Sequence, residues 1–173
     1  MGRFPEYDGD GDPLAEGRWI ARVNSAFNGK RGQRILRELE AMLLAMPEKR
    51  LIAGELTTPD GECCTVGLYC AAKQAEANGT DVKTEARALA ENPVPEEDQW
   101  DDYDATEDTV AAGVAAGMTE TMAWELGSWN DCYDWYFDKQ TRERRDYTPE
   151  ERYEKMLSFV RKKLRPAAAG MGE

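Results

Sequence analysis

Three groups of residues hold the chemistry this chain offers: four cysteines, a carboxylate-rich run at 91–108, and a glycine-flanked cationic turn at 29–34. Histidine is absent. That removes Ser-His-Asp and Cys-His catalysis, and with them every His-ligated metal site. Cys63, Cys64, Cys70 and Cys132 lack the paired Cys-x-x-Cys spacing of a structural zinc site. Adjacent cysteines on a strand point to opposite faces, so Cys63 and Cys64 read as packing residues. A nucleophilic thiol here would need a cation or a helix terminus to lower its pKa. Cys70, near an expected helix start, is the one candidate. No metal and no cofactor is expected.

The carboxylates are more numerous. Glu91, Glu96, Glu97, Asp98, Asp101, Asp102, Asp104, Glu107 and Asp108 fall in one 18-residue stretch without a base. Paired acids can hydrolyse glycosides or hold magnesium. Catalytic acids sit in apolar clefts, however, and this run with Pro93 and Pro95 reads as solvated charge on an exposed loop. Asp8, Asp10 and Asp12 alternate like the first ligands of a calcium loop. The match fails at Pro13, where the loop needs glycine, and at Trp19, where it needs the bidentate Glu.

The cationic turn reads Gly29, Lys30, Arg31, Gly32, Gln33, Arg34 and stands where a helix begins. A helix start exposes unpaired N–H groups and the positive end of the macrodipole, so cations there need an offset. One reading is an anion site made by Lys30, Arg31, Gly32 and Arg34, with glycine letting a phosphate approach the backbone. The other pairs these cations with the chain's own carboxylates. The string is not a Walker motif.

These groups must be positioned by elements that the pattern predicts. Ile35, Leu36, Leu39, Met42, Leu43 and Met46 line one face of a helix that Pro47 stops, and this helix is expected at the centre of the core. A first helix is expected over 14–27, with Trp19, Ile20, Val23 and Phe27 on one face. Leu51–Leu56 and Glu62–Val66, joined through Pro59-Asp60-Gly61, predict a short hairpin. Further helices follow at 67–77, from Thr80 to Asn92, and from Thr106 or Asp108 to Leu126. Gly113 and Gly117 on the last of these would allow a close crossing. The stretch 124–137 gathers Trp124, Trp129, Tyr133, Trp135, Tyr136 and Phe137, either as core or as a binding surface. Thr148-Pro149-Glu150-Glu151 starts a final helix with a capping box.

The fold class expected is α+β, predominantly α-helical: a helical bundle of about five or six helices with one short β-hairpin. Residues 1–13 read as an acidic flexible arm. A single α+β domain spans 14–166, with an acidic loop at about 92–107, and 167–173 read as a disordered tail.

With 34 acidic and 22 basic residues the formal net charge is −12, which disfavours ordinary nucleic-acid and membrane-surface binders. No run of 18 apolar residues and no signal-peptide profile is present, so a cytoplasmic protein is expected.

The run GKRGQRILRELEAMLLAMPEKRLIAGEL, followed by GECCTVG, resembles a family of small uncharacterised accessory proteins encoded by bacteriophages and prophages. The resemblance covers residues 18–68, is faint at the Thr-Pro-Glu-Glu-Arg helix start and is lost between 95 and 147. It implies action in the cytoplasm of a bacterial host, and no site residue.

The function expected is a non-enzymatic interaction protein, an acidic inhibitor of a host nucleic-acid-handling or defence complex of the anti-CRISPR or anti-restriction type. Glu96, Glu97, Asp98, Asp101, Asp102 and Asp104 would supply the field, and Trp100, Tyr103 and Trp129 the anchors. The partner is a host or phage protein, basic because it grips nucleic acid. One alternative binds nucleic acid or phosphate through the GKRGQR turn and Arg37, aided by Arg142, Arg144 and Arg145, since residues 28–50 carry six bases against three acids. Another is a carboxylate-dependent hydrolase.

Overall fold

The computed structural model describes residues 13–92, 105–131, 135–137 and 144–166. Seven helices are found among them: α1 (Pro13–Asn28), α2 (Lys30–Ala45), α3 (Thr65–Asn78), α4 (Val82–Glu91), α5 (Ala105–Ala115), α6 (Glu120–Asp131) and α7 (Pro149–Lys163). Between α6 and α7, β1 (Trp135–Phe137) and β2 (Arg144–Asp146) pair antiparallel, with Tyr136 opposite Arg145.

The core forms as helical spacing requires. Trp19, Val23 and Phe27 of α1 and Ile35, Leu36, Leu39 and Leu43 of α2 are all buried. The chain around Pro47 ends α2, and the Met46 N–H turns back to the carbonyls of Met42 and Leu43. Helix α2 packs on α1, α3 and α7, while α3 packs on α2, α4, α5 and α6. The most enclosed stretch is the start of α3, where every residue from Thr65 to Ala71 is buried. Gly67 permits this, because a Cβ there would fall 1.9 Å from the Leu56 carbonyl oxygen.

Two expectations are corrected. The hairpin at 51–66 does not form strands; it is reduced to a single bridge between Thr57 and Cys63. Its first arm is claimed elsewhere, since the Leu51 N–H donates to the Pro149 carbonyl and the Leu51 carbonyl accepts from Arg152. Gly54, at φ +76, also breaks the extension. A strand whose backbone groups serve other elements cannot complete a ladder.

The long helix expected to reach Leu126 is two helices, so the bundle has seven members where five or six were expected. Gly117 takes φ +101, its N–H donates to the Val114 carbonyl, and the Met118 N–H donates to the Gly113 carbonyl. This is a Schellman stop, with glycine at the left-handed position. Thr119 then caps α6 by accepting from the Met122 N–H. The spacing by four of Val110, Val114, Met118 and Met122 runs across the break, which hid it. Gly113 does serve close packing, since a Cβ there would lie 2.7 Å from that of Ala123.

The helix expected from Thr80 begins at Val82, with Asp81 as its N-cap. The Thr80 hydroxyl donates to Glu85, whose carboxylate is buried and also accepts from Asn78. At α7 the capping box closes between Thr148 and Glu151.

Candidate functional site

The cationic turn has a structural task. Arg31 Nε donates to the Gly117 carbonyl at 2.8 Å, and its Nη2 to the Met118 carbonyl at 3.3 Å. Gln33 is buried; its Nε2 donates to the carbonyls of Phe27 (2.8 Å) and Lys163 (2.9 Å), and its Oε1 accepts from the Arg165 N–H (2.8 Å). One turn at the start of α2 therefore finishes the C-terminal ends of α1, α5 and α7. The negative ends of three helix dipoles meet the positive end of α2, and Arg31 adds its charge where carbonyls gather. For Arg31 these carbonyls offset its charge, and for Arg34 the Glu38 carboxylate does.

Gly32 completes the junction. A Cβ there would fall 1.9 Å from the Ala26 carbonyl oxygen, so the glycine admits a neighbouring backbone and leaves no room for a phosphate on that side. Arg34 lies 3.3 Å from Glu38, and Lys30 is exposed. Of the four anion-site candidates, only Lys30 and Arg34 face solvent without a carbonyl to serve. Gln33 is the residue that sequence reasoning missed. Its signal was position: three residues before Leu36, at the edge of the buried face, a side-chain amide must find protein partners.

The expected partner-binding set falls mostly outside the described residues: Glu96, Glu97, Asp98, Trp100, Asp101, Asp102, Tyr103 and Asp104 all do, as do Cys132 and Arg142. Trp129 is described and is half-buried. Its indole lies against Phe159 with ring centroids 4.8 Å apart, and its Nε1 donates to Glu125 at 2.9 Å. That ring packs inward. Arg144 and Arg145 lie on β2.

The three described thiols, Cys63, Cys64 and Cys70, are buried. Burial pushes Cys63 up to about 12, aided by Glu62, and pushes Cys70 to about 12; Cys64 is raised in the same way. Cys70 lies in the second turn of α3, away from the first N–H groups. Cys64 is the N-cap, where its sulfur accepts from the Gly67 N–H. Among the described residues, no group of three or more Cys, Asp or Glu could hold a metal ion.

A buried polar cluster joins α3, α6, α7 and the 51–52 backbone. Asn130 Oδ1 accepts from the N–H (3.0 Å) and hydroxyl (2.8 Å) of Thr65, and its Nδ2 donates to the Ile52 carbonyl (2.8 Å). Arg152 donates to the carbonyls of Asn130 and Leu51. Every named group has a partner, which fits a device for positioning elements rather than for reaction.

Charge is unevenly distributed along the chain. The described residues carry 19 basic and 20 acidic side chains, against 22 and 34 in the whole sequence. Nearly all of the net negative charge thus belongs to the other stretches, chiefly 1–12 and 93–104. Those two stretches lead into α1 and α5. Between α1, α5 and α6 runs an open groove of about 980 Å³, with Trp19, Arg22, Arg31, Val114 and Trp124 among its walls. Val114 is 45% exposed, and the buried Trp124 Nε1 has no hydrogen-bond partner. A smaller cleft of about 390 Å³ lies between the end of α2, the 60–63 turn and the start of α4.

Compared with protein-family models, curated proteins and solved structures, the chain matches none of them. Among the described residues no helix is long and apolar enough to cross a membrane.

Proposed function

We propose that this is a phage-encoded, non-enzymatic interaction protein whose acidic stretches engage a basic, nucleic-acid-handling complex of the bacterial host. The observation that supports this most is the separation of charge. The described residues carry 19 basic and 20 acidic side chains, whereas 1–12 and 93–104 hold ten acids and one base, and in sequence these two stretches directly precede α1 and α5, which wall the larger groove. Carboxylates grouped in this way present a field like that of a phosphate backbone, and such a field steers association with a basic surface. The groove wall adds the half-buried Trp124 and the exposed Val114 as an apolar component of the kind interfaces favour.

The test is capture from a host lysate with the full chain, and with a variant in which Glu96, Glu97, Asp98, Asp101, Asp102 and Asp104 become their amides. The full chain should retain a basic nucleic-acid-binding complex, identified by mass spectrometry, with retention falling as salt rises. The amide variant should lose it. Equal retention by both forms, or a direct shift of labelled DNA or RNA by the protein alone, would overturn the reading.

A further inference from the structure

We propose that the cleft between α2 and α4 receives an apolar side chain carried on a cationic, amphipathic segment of a protein partner. The cleft's lining shares no residue with the acidic stretches at 1–12 and 93–104, so each proposal is tested by its own substitutions and either can fail while the other stands.

The floor of the cleft is apolar. Met42 and Met46 project from the last turns of α2, Cys63 and Leu68 close the bottom, and Val82 opens α4 opposite. Met42, Met46 and Val82 are only half-buried, so apolar surface is left uncovered. Methionine is unbranched and polarizable, and it adapts to side chains of differing shape. The floor offers no polar group that could orient a small ligand, because the Cys63 thiol stays protonated and turns toward the Gly61 carbonyl at 3.8 Å. Recognition of a compact polar molecule normally needs several such groups converging. A hydrocarbon side chain needs none.

The rim selects the charge of the occupant. Glu48, Asp60, Glu62 and Asp81 stand around the opening with Arg50 and Lys83. Arg50 is already committed, with Glu62 at 3.3 Å, Glu48 at 3.9 Å and Glu150 at 4.0 Å. The opening therefore presents an excess of carboxylate. Hydrogen bonds from the Thr84 hydroxyl (2.6 Å) and then from its N–H (3.0 Å) hold the Asp81 carboxyl below its ordinary range, so it stays charged. An apolar pocket inside a negative ring favours lysines or arginines flanking a hydrophobic anchor, and it repels a nucleic-acid backbone.

The full chain, labelled with ¹³C at its methionine methyls, is titrated with three synthetic helix-forming peptides. The first is built of leucine and lysine, the second has serine for leucine, and the third has glutamate for lysine. The Met42 and Met46 methyl signals should move with the first peptide and stay still with the other two. The fully buried Met118, Met122 and Met156 serve as internal references. Met46→Gln should weaken binding about tenfold, as loss of an interface anchor does. The double variant Glu48→Gln/Asp60→Asn alters only exposed side chains and should weaken it several-fold, which keeps the test decisive if Met46→Gln misfolds. Methyl signals that stay still with the first peptide, or that move equally with the serine peptide, would overturn the proposal.

Discussion

Gln33 reaches Lys163 across 130 positions of sequence, donating to its carbonyl at 2.9 Å while accepting from the Arg165 N–H. The same amide holds the Phe27 carbonyl, so three backbone groups depend on one side chain. Gln33→Leu should lower the unfolding free energy by about 3 kcal/mol, the scale of leaving buried polar groups unsatisfied. Urea denaturation measures this, and a loss below about 0.5 kcal/mol would refute the assignment.

Glycines separate close packing from mere flexibility. Gly32→Ala and Gly67→Ala each press a Cβ to 1.9 Å from a backbone carbonyl oxygen, whereas Gly17 has no neighbour within 4 Å. The first two substitutions should each cost about 1–3 kcal/mol or more, as overpacking against backbone does. Gly17→Ala should add about 0.5–1 kcal/mol by helix propensity. Thermal melts of the three variants give the order directly.

The cationic turn can be tested against an anion-binding role. Arg31→Ala should cost about 1 kcal/mol through its lost carbonyl contacts, while Lys30→Ala should stay within about 0.5 kcal/mol. Inorganic phosphate at millimolar concentration should leave the melting temperature unchanged at constant ionic strength. A rise that disappears in the Lys30→Ala/Arg34→Ala variant would restore the anion site.

Alkaline pH should weaken the fold. Cys63 and Cys70 ionise near 12 in the folded chain, against an ordinary 9. Below about 9 both states hold the thiol protons, and the stabilisation relative to the ionised unfolded chain is fully present. Between about 9 and 12 only the unfolded chain releases them, so stability falls with a slope of about 1.4 kcal/mol per pH unit for each thiol. Unfolding curves at about pH 7, 9 and 10.5, which bracket the ordinary thiol range, should show the decline. The variant Cys63→Ala/Cys70→Ala should show a shallower slope. An unchanged slope would contradict the shift.

Local signals in the sequence were read well where they governed local structure. The apolar stripe of α2, the stop at Pro47 and the box joining Thr148 to Glu151 each follow from residues within a few positions. Failures came where distant chain decided the outcome. Pro149 and Arg152 take the Leu51 backbone away from a hairpin that its own residues favour. The division at Gly117 was legible in principle, because glycine followed by Thr119-Glu120 marks a stop and a new start, yet an unbroken spacing of four masked it. The GKRGQ turn is unusual in sequence, but apart from the Phe27 carbonyl, six positions from Gln33, its carbonyl partners lie 86 and more positions away. No local pattern announces them. The expected acidic and aromatic site, Trp129 apart, lies outside the described residues; the cleft at Met42 and Met46 was hidden because both methionines look like ordinary core positions.

Since the Gln33 amide completes the ends of α1 and α7 together, neither of those two ends can fray alone. Releasing the end of α1 or of α7 strands groups of the other through the shared Gln33 amide, so amide exchange at those two ends should follow one common opening. The first turn of α2 thus ties segments from the start and close of the described chain into one cooperative unit.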